Sequence, residues 1–492
     1  MDFSDLTIFF SFSSYLLLMI IIGWYFYRKT ENLSDYILGG RKLNAWVTSL
    51  SAQASDMSGW LLLGLPGYAY IAGFESLWLL LGLLVGTYAN WKFIAARLRK
   101  YTEIAGNSIT LPDFFENRFR ADSKRIRIIS AIFILFFFLI YTSSGFVAGA
   151  KLFSSVFNIS YLSALVIGCI IIVSYTFLGG FLAVSWTDVI QGTIMFFAII
   201  FVPTFAIIDN GGFQFTLTEV IVLNPNYLNA LTDSNGNFIS IITIFSLLGW
   251  GLGYFGQPHI LARFMAIKNV SEVGKARKIA MYWVTFSLIF AVVLGIVGYA
   301  IFPNNLVGND SERIFIVMVE QLVNPLFAGV LLAAILAAIM STADSQLLVA
   351  SSALTEDIYR TLFRKNASQR ELVWISRSFV ILIAVIALII GLDQNSSVLD
   401  LVSYAWAGFG AAFGPVIILS LYWKGITEKG AISGILIGGL TIIIWKNLSG
   451  GIFDLYEIIP GFLLALIGII IFSKNGGVKN DLVENELKII SD

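Results

Sequence analysis

Hydrophobic positions in this chain gather into long unbroken runs separated by short polar stretches. Runs long enough to cross the roughly 30 Å of a bilayer's hydrocarbon fall near 6 to 27, 44 to 72, 74 to 98, 126 to 154, 159 to 178 and 186 to 208. Seven more follow near 239 to 263, 276 to 302, 325 to 358, 372 to 392, 397 to 423, 429 to 447 and 454 to 473. The pattern predicts an all-α polytopic membrane protein of about 13 transmembrane helices, numbered here as spans one to thirteen. The first run is longer than a signal-peptide core and ends in Tyr27-Arg28-Lys29 rather than in small residues, so it reads as a retained helix.

Polar loops set the expected orientation, because lysine and arginine collect on the cytoplasmic side. Basic clusters lie at Arg28 to Lys42, Arg97 to Arg127, Arg263 to Lys278, Arg360 to Arg370 and Lys424 to Lys429, whereas Asp209 to Phe238 holds no lysine or arginine. The N-terminus is therefore expected outside, the C-terminus in the cytoplasm, and the chain in the cytoplasmic (inner) membrane. Composition agrees with lipid as the solvent: 58% of the 492 residues are hydrophobic and 13% charged. Basic and acidic residues balance at 31 each, which removes the electrostatic attraction a nucleic-acid binder needs. One cysteine, Cys169, and one histidine, His259, leave too few soft ligands for a zinc or redox-metal site, so no cofactor is expected. No loop is long enough for a soluble catalytic domain, which directs the search for function into the membrane.

Two spans are dense in helix breakers. Span two reads Ala52-Gln53-Ala54-Ser55-Asp56-Met57-Ser58-Gly59-Trp60 and continues to Gly64-Leu65-Pro66-Gly67, and span seven reads Trp250-Gly251-Leu252-Gly253-Tyr254-Phe255-Gly256-Gln257-Pro258-His259. Irregular backbone at membrane depth is tolerated only where it is buried or lines a cavity. An odd separation reverses direction across the bilayer, so two matching broken helices five spans apart predict a five-plus-five inverted repeat with the binding site at the breaks. Taken singly, such glycines would only allow close helix packing.

Asp56 lies inside an apolar span, where a charge costs several kcal/mol unless it is paired, hydrated or bound to an ion; the choice lies between a coupling carboxylate and a cap on a half-helix. In span nine, Ser341, Thr342, Asp344 and Ser345 interrupt a long aliphatic run. Unwound carbonyls and adjacent hydroxyls are the hard oxygen ligands that sodium prefers, which makes Ser341 and Thr342 candidates, although such hydroxyls also bond back to their own helix. Asp188, after Ser185-Trp186-Thr187, is either an N-cap of span six or a station on an ion path. Lys92, Arg97 and Lys151 fall near span ends and no basic residue stands at mid-depth, so a zwitterionic solute fits better than an anion, its ammonium facing aromatic rings such as Tyr141, Trp250 or Tyr254. Gly251 to Gly256 matches a dinucleotide fingerprint only formally, being inside a span, and no GxxxxGK[ST] loop occurs, which leaves an ion gradient as the energy source.

These residues resemble the sodium:solute symporter family over nearly the whole chain. The blocks 51 to 60 and Gly179 to Asp188 have the family's character; 251 to 265, Leu354-Thr355-Glu356-Asp357 and 403 to 410 look like its proline branch. The resemblance implies a LeuT-like fold with spans two to six (44–208) and seven to eleven (239–423) as the repeats. Outside them stand an extra helix and loop (1–43), an extracellular loop (209–238), two peripheral helices (424–473) and a cytoplasmic tail (474–492). It implies a sodium site of the Ala54, Met57 and Ala338 carbonyls with the Ser341 and Thr342 hydroxyls, Asp56 serving coupling. It implies L-proline at Ser58, Trp60, Tyr141, Trp250, Tyr254 and Pro258, and a possible second cation path through Asp188, Ser341, Asp344 and Ser345. Asp344 departs from the family's usual uncharged residue. Two acids side by side there would demand a second sodium or a shared proton. The partners expected are sodium, L-proline and the bilayer, with no nucleic acid and no obligatory protein partner. Alternatives are a sodium symporter for a sugar, pantothenate or short carboxylate, a transporter-like sensor, and a membrane-embedded enzyme.

Overall fold

The structure is a computed structural model that describes residues 3–27, 33–474 and 481–491. Arg28 and Lys29 of the first basic cluster, and positions 475–480 of the tail, lie outside the described residues.

In chain order the helices are α1 (Phe3–Tyr27), α2 (Leu33–Leu38), α3 (Ala45–Asp56), α4 (Leu65–Ala72), α5 (Ser76–Ala89), α6 (Ala95–Ile104) and α7 (Leu111–Phe119). They continue as α8 (Arg125–Phe157), α9 (Tyr161–Asp209), α10 (Phe213–Leu223), α11 (Ile241–Gly249), α12 (Pro258–Ala266), α13 (Val273–Ile301) and α14 (Ile314–Leu322). The last are α15 (Pro325–Ser352), α16 (Gln369–Ile390), α17 (Val398–Tyr422), α18 (Glu428–Trp445), α19 (Ile458–Ser473) and α20 (Asp481–Ser491). Among the described residues nine helical stretches are long and apolar enough to cross a bilayer, and shorter apolar helices cover Tyr161–Ser174, Phe213–Leu223, Ile241–Gly256 and Ile458–Ser473.

Two helices end where breakers stand. After Asp56, Met57 leaves helical geometry at φ −87 and ψ 78, and the chain re-enters through a wide π-type turn at Trp60–Gly64 before α4. After α11 the chain tightens into a 3-10 turn at Trp250–Gly256, Gln257 is extended, and Pro258 opens α12, where a missing N–H costs nothing. The glycines of this stretch permit contact: Gly251 crosses Gly86 of α5 backbone to backbone, with no room for a methyl on either.

Spans five and six form one element, α9, that turns at Gly180 with φ 65 and ψ −177. The bend comes before Ser185, so of the two readings of Asp188 the N-cap of span six is wrong. Ser185, Thr187 and Asp188 are already inside the helix, and Thr187 bonds back to the carbonyls of Ala183 and Val184.

Buried from residue 331 to 348, α15 forms the axis of the core and packs on α3, α8 and α9. Exposed apolar side chains such as Val85, Phe197 and Phe286 cover the outside of the bundle, as a lipid-facing wall requires.

Candidate functional site

The break after Asp56 leaves the last carbonyls of α3 without helical donors. In a continuing helix the Ser58 amide would reach Ala54; here it bonds the Asp56 carbonyl at 3.1 Å. The Ala54 carbonyl instead meets α15, with Ser341 Oγ at 2.8 Å and Thr342 Oγ1 at 3.3 Å. Ser341 Oγ also lies 3.1 Å from the Ala338 carbonyl, so one hydroxyl hydrogen serves two acceptors. All these groups are buried, as is Met57 at the break. Four oxygens from two helices thus converge with spacings near 3 Å, as around a hard cation whose ligands stand about 2.4 Å from it.

One turn on, the Asp56 carbonyl receives the Trp60 indole N–H at 3.1 Å and the Tyr141 hydroxyl at 3.3 Å, while Ser58 Oγ accepts the Trp60 amide at 3.4 Å. The Asp56 carboxylate is fully buried and has no hydrogen-bond partner among the described residues, so it is no helix cap. Tyr254, its hydroxyl likewise unpartnered, approaches that carboxylate and sets its ring edge-on to Trp406 at 4.9 Å. A buried acid left in this state costs several kcal/mol unless it takes a proton or meets a cation. His259, which sequence reading set aside, packs its ring 6.0 Å from that of Tyr141.

Ser58, Trp60, Tyr141 and Tyr254 therefore gather at Asp56, but two of the residues implied for the substrate do not. The Trp250 ring stacks on Tyr456 at 5.5 Å on the wall of a separate cavity of about 410 Å³ shared with Asp400, Lys446 and Glu457. Pro258 lines a small, mostly apolar pocket with Ile109, Ala262 and Val349.

Asp188 is not exposed, and Arg263, which the charge pattern counts with the cytoplasmic basic cluster, is buried beside it. Both side chains are fully buried, with Arg263 Nη2 3.2 Å from Asp188 Oδ2. Ser51 Oγ donates to the same oxygen at 2.6 Å, Arg263 reaches Ser345 Oγ at 2.5 Å, and Ser345 Oγ stands 3.2 Å from Asp344 Oδ1. The guanidinium thus pairs directly with Asp188 and is linked to Asp344 through the Ser345 hydroxyl, so a buried positive charge accompanies the two acids. Ile260-Leu261-Ala262 and Phe264-Met265-Ala266 flank Arg263 with apolar residues on both sides, a signal that the basic residues following it outweigh in loop-charge counting.

Comparison with known proteins follows the same line. Residues 36–438 match the model of the sodium:solute symporter family. A sodium/proline symporter of Salmonella typhimurium is 52% identical over 95% of this chain and 92% of its own. The high-affinity proline transporter PutP of Bacillus subtilis is 49% identical over 92% of this chain and 95% of its own. Among solved structures, a sodium-coupled sialic acid symporter in a substrate-bound outward-open state superposes with a TM-score of 0.79 at 19% identity, covering 96% of this chain and 98% of that one. That likeness establishes the fold.

Proposed function

Since the chain belongs to the sodium:solute symporter family, we propose that it takes up L-proline across the cytoplasmic membrane by coupling it to sodium moving down its gradient. It is a transporter and not an enzyme. The proline relatives support the cargo; the observation that carries the coupling is the oxygen set joining α3 to α15.

In this reading the chain crosses the membrane thirteen times, N-terminus outside and C-terminus in the cytoplasm, with spans two to six and seven to eleven as inverted repeats. Sodium sits among the carbonyls of Ala54, Met57 and Ala338 and the hydroxyls of Ser341 and Thr342. Its binding ties α3 to α15 and fixes the geometry of the break. Substrate meets the same break: its ammonium lies against Asp56 and Tyr254, its carboxylate takes the N–H groups freed by unwinding, and Ser58, Trp60 and Tyr141 close around the ring. Each ligand orders backbone that the other needs, so each raises the other's affinity by the same factor. No cofactor enters the cycle. Sodium, L-proline and the bilayer are its partners, with no nucleic acid or obligatory protein partner.

The energetics suffice. One sodium crossing a potential of roughly 100 mV yields about 2.3 kcal/mol, and a tenfold concentration gradient adds about 1.4 kcal/mol. Together they concentrate a neutral solute several-hundredfold.

Uptake of labelled L-proline into proteoliposomes, with an inward sodium gradient or with potassium in its place, tests the reading. Accumulation is expected with sodium alone. No accumulation, while sodium still raises the thermal midpoint, would keep the ion and discard proline.

A further inference from the structure

The tail helix α20 carries Val483 and Ile490 on a buried face that packs on α6, while Ile489 is exposed. Its acidic residues point to basic groups on other elements. Glu486 Oε1 pairs with Arg120 Nη2 at 2.6 Å, just past the end of α7, and its Oε2 accepts the Tyr101 hydroxyl of α6 at 3.2 Å. Glu484 pairs with Lys424, two residues beyond α17, at 3.2 Å.

Under this helix the same elements already grip each other. Arg118 of α7 donates to the Ser420 carbonyl at 3.0 Å, and Arg97 of α6 donates to the Leu421 carbonyl at 3.1 Å and covers the Tyr422 ring at 4.0 Å. The two layers differ in exposure. Arg118 is buried, whereas Lys424 and Glu484 are 67% and 44% exposed and Arg120 and Glu486 are 36% and 19% exposed. Ions in water screen the outer layer and leave the inner one intact.

We propose that α20 is a salt-sensitive strap: it holds the ends of α6, α7 and α17 together on the cytoplasmic side, slows the opening of that side, and is loosened by ionic strength. The inference rests on the transport reading and on a cytoplasmic C-terminus. In this proposal the ends of α6 and α17 part as cargo leaves, and a strap that bridges them opposes that step without touching the ion oxygens or Asp56.

The test is sodium-driven proline turnover in proteoliposomes whose internal potassium chloride rises from about 0.01 M to about 1 M, over which the screening length falls from about 30 Å to about 3 Å, with osmolality matched outside. Turnover is expected to rise about two- to tenfold, the combined worth of two exposed ion pairs, with KM for proline unchanged. The double variant Glu484→Gln, Glu486→Gln is expected at the high plateau at every salt concentration. The charge swap Arg120→Glu with Glu486→Arg is expected to restore the wild-type profile. A double variant with the wild-type salt profile, or slower at every concentration, overturns the strap. Absence of sodium-driven uptake in the wild type would strike the transport reading instead. Spin labels at Ile489→Cys and Asp122→Cys, with Cys169→Ser, then decide the strap alone, because their separation must broaden with salt in the wild type and already be broad in the double variant; a separation indifferent to salt sinks it.

Discussion

Ser341 and Thr342 are neighbours on α15, yet both hydroxyls reach the Ala54 carbonyl, which the break after α3 leaves without its helical amide. Ser341→Ala removes one of the five proposed oxygens, and the sodium half-saturation concentration is expected to rise about tenfold, equivalent to about 1.4 kcal/mol. Thr342→Ser keeps its oxygen and should stay near wild type; equal losses in both variants would mean that the hydroxyls serve packing. Asp344→Asn asks a different question. With Arg263 paired to Asp188 and linked to Asp344 through Ser345, its positive charge stands in for a second sodium in the proposed cycle, so the Hill coefficient for sodium is expected near one in wild type and variant alike. A wild-type coefficient near two that falls to one in the variant would return Asp344 to an ion site. These oxygens were legible in the sequence because Ser341 and Thr342 interrupt an aliphatic run. Arg263 was not, because it opens a string of basic residues that loop-charge reasoning assigns to the cytoplasm.

Helices obey the same division between what their own residues dictate and what a neighbour imposes. Long apolar runs announced helices such as α8, α13, α16 and α17 to within a few residues, and the polar, glycine-rich stretches marked where α3 and α11 stop. The short helices α7, α10, α14 and α20 carried no such signal: none is long enough to span lipid, and the face each one buries is chosen by the seam it fills. Gly180 is a case where a single residue sets the direction of an element. Its φ of 65 with ψ −177 is a conformation that only glycine adopts freely, and a methyl there would press on Tyr36 at 2.9 Å. Gly180→Ala is expected to destabilise the protein by about 1–3 kcal/mol, read as a lower thermal midpoint and lower yield in the membrane. The sodium-induced rise in that midpoint should survive, since α3 and α15 keep their oxygens. A variant with wild-type stability would show that the turn is not strained by a side chain.

For the whole molecule, the ion oxygens and the Asp56 group are buried from both faces, so transport needs one side to open at a time. In the proposed orientation the cytoplasmic side is held by Arg127, whose guanidinium meets Asp357 at 2.7 Å, Asp113 at 3.2 Å and Glu356 at 3.2 Å. The outer side is held by Glu312, which pairs with Lys151 of α8 at 2.6 Å and accepts from Ser397 Oγ at 3.0 Å and from the amides of Val398 and Leu399 at 3.1 and 3.0 Å at the start of α17. Its own backbone rests on Gly67 of α4, where a methyl would collide at 2.8 Å. One residue therefore ties three helices on the side where cargo enters in the proposed cycle, its carboxylate bridging α8 and α17 and its backbone resting on α4. Breaking a buried pair from one side costs about 3–5 kcal/mol because the partner charge is stranded, so Glu312→Gln should shift the population toward states open to the outside. Hydrogen exchange at the Val398 and Leu399 amides is expected to quicken by at least about tenfold while exchange in the middle of α15 stays slow. Proline turnover should fall, because outer closure precedes release, with sodium affinity little changed. Slow exchange at both amides in the variant would mean that α17 is held shut by packing alone, and the outer gate would then have to be sought along the contact between α17 and the turn at Trp250–Gly256.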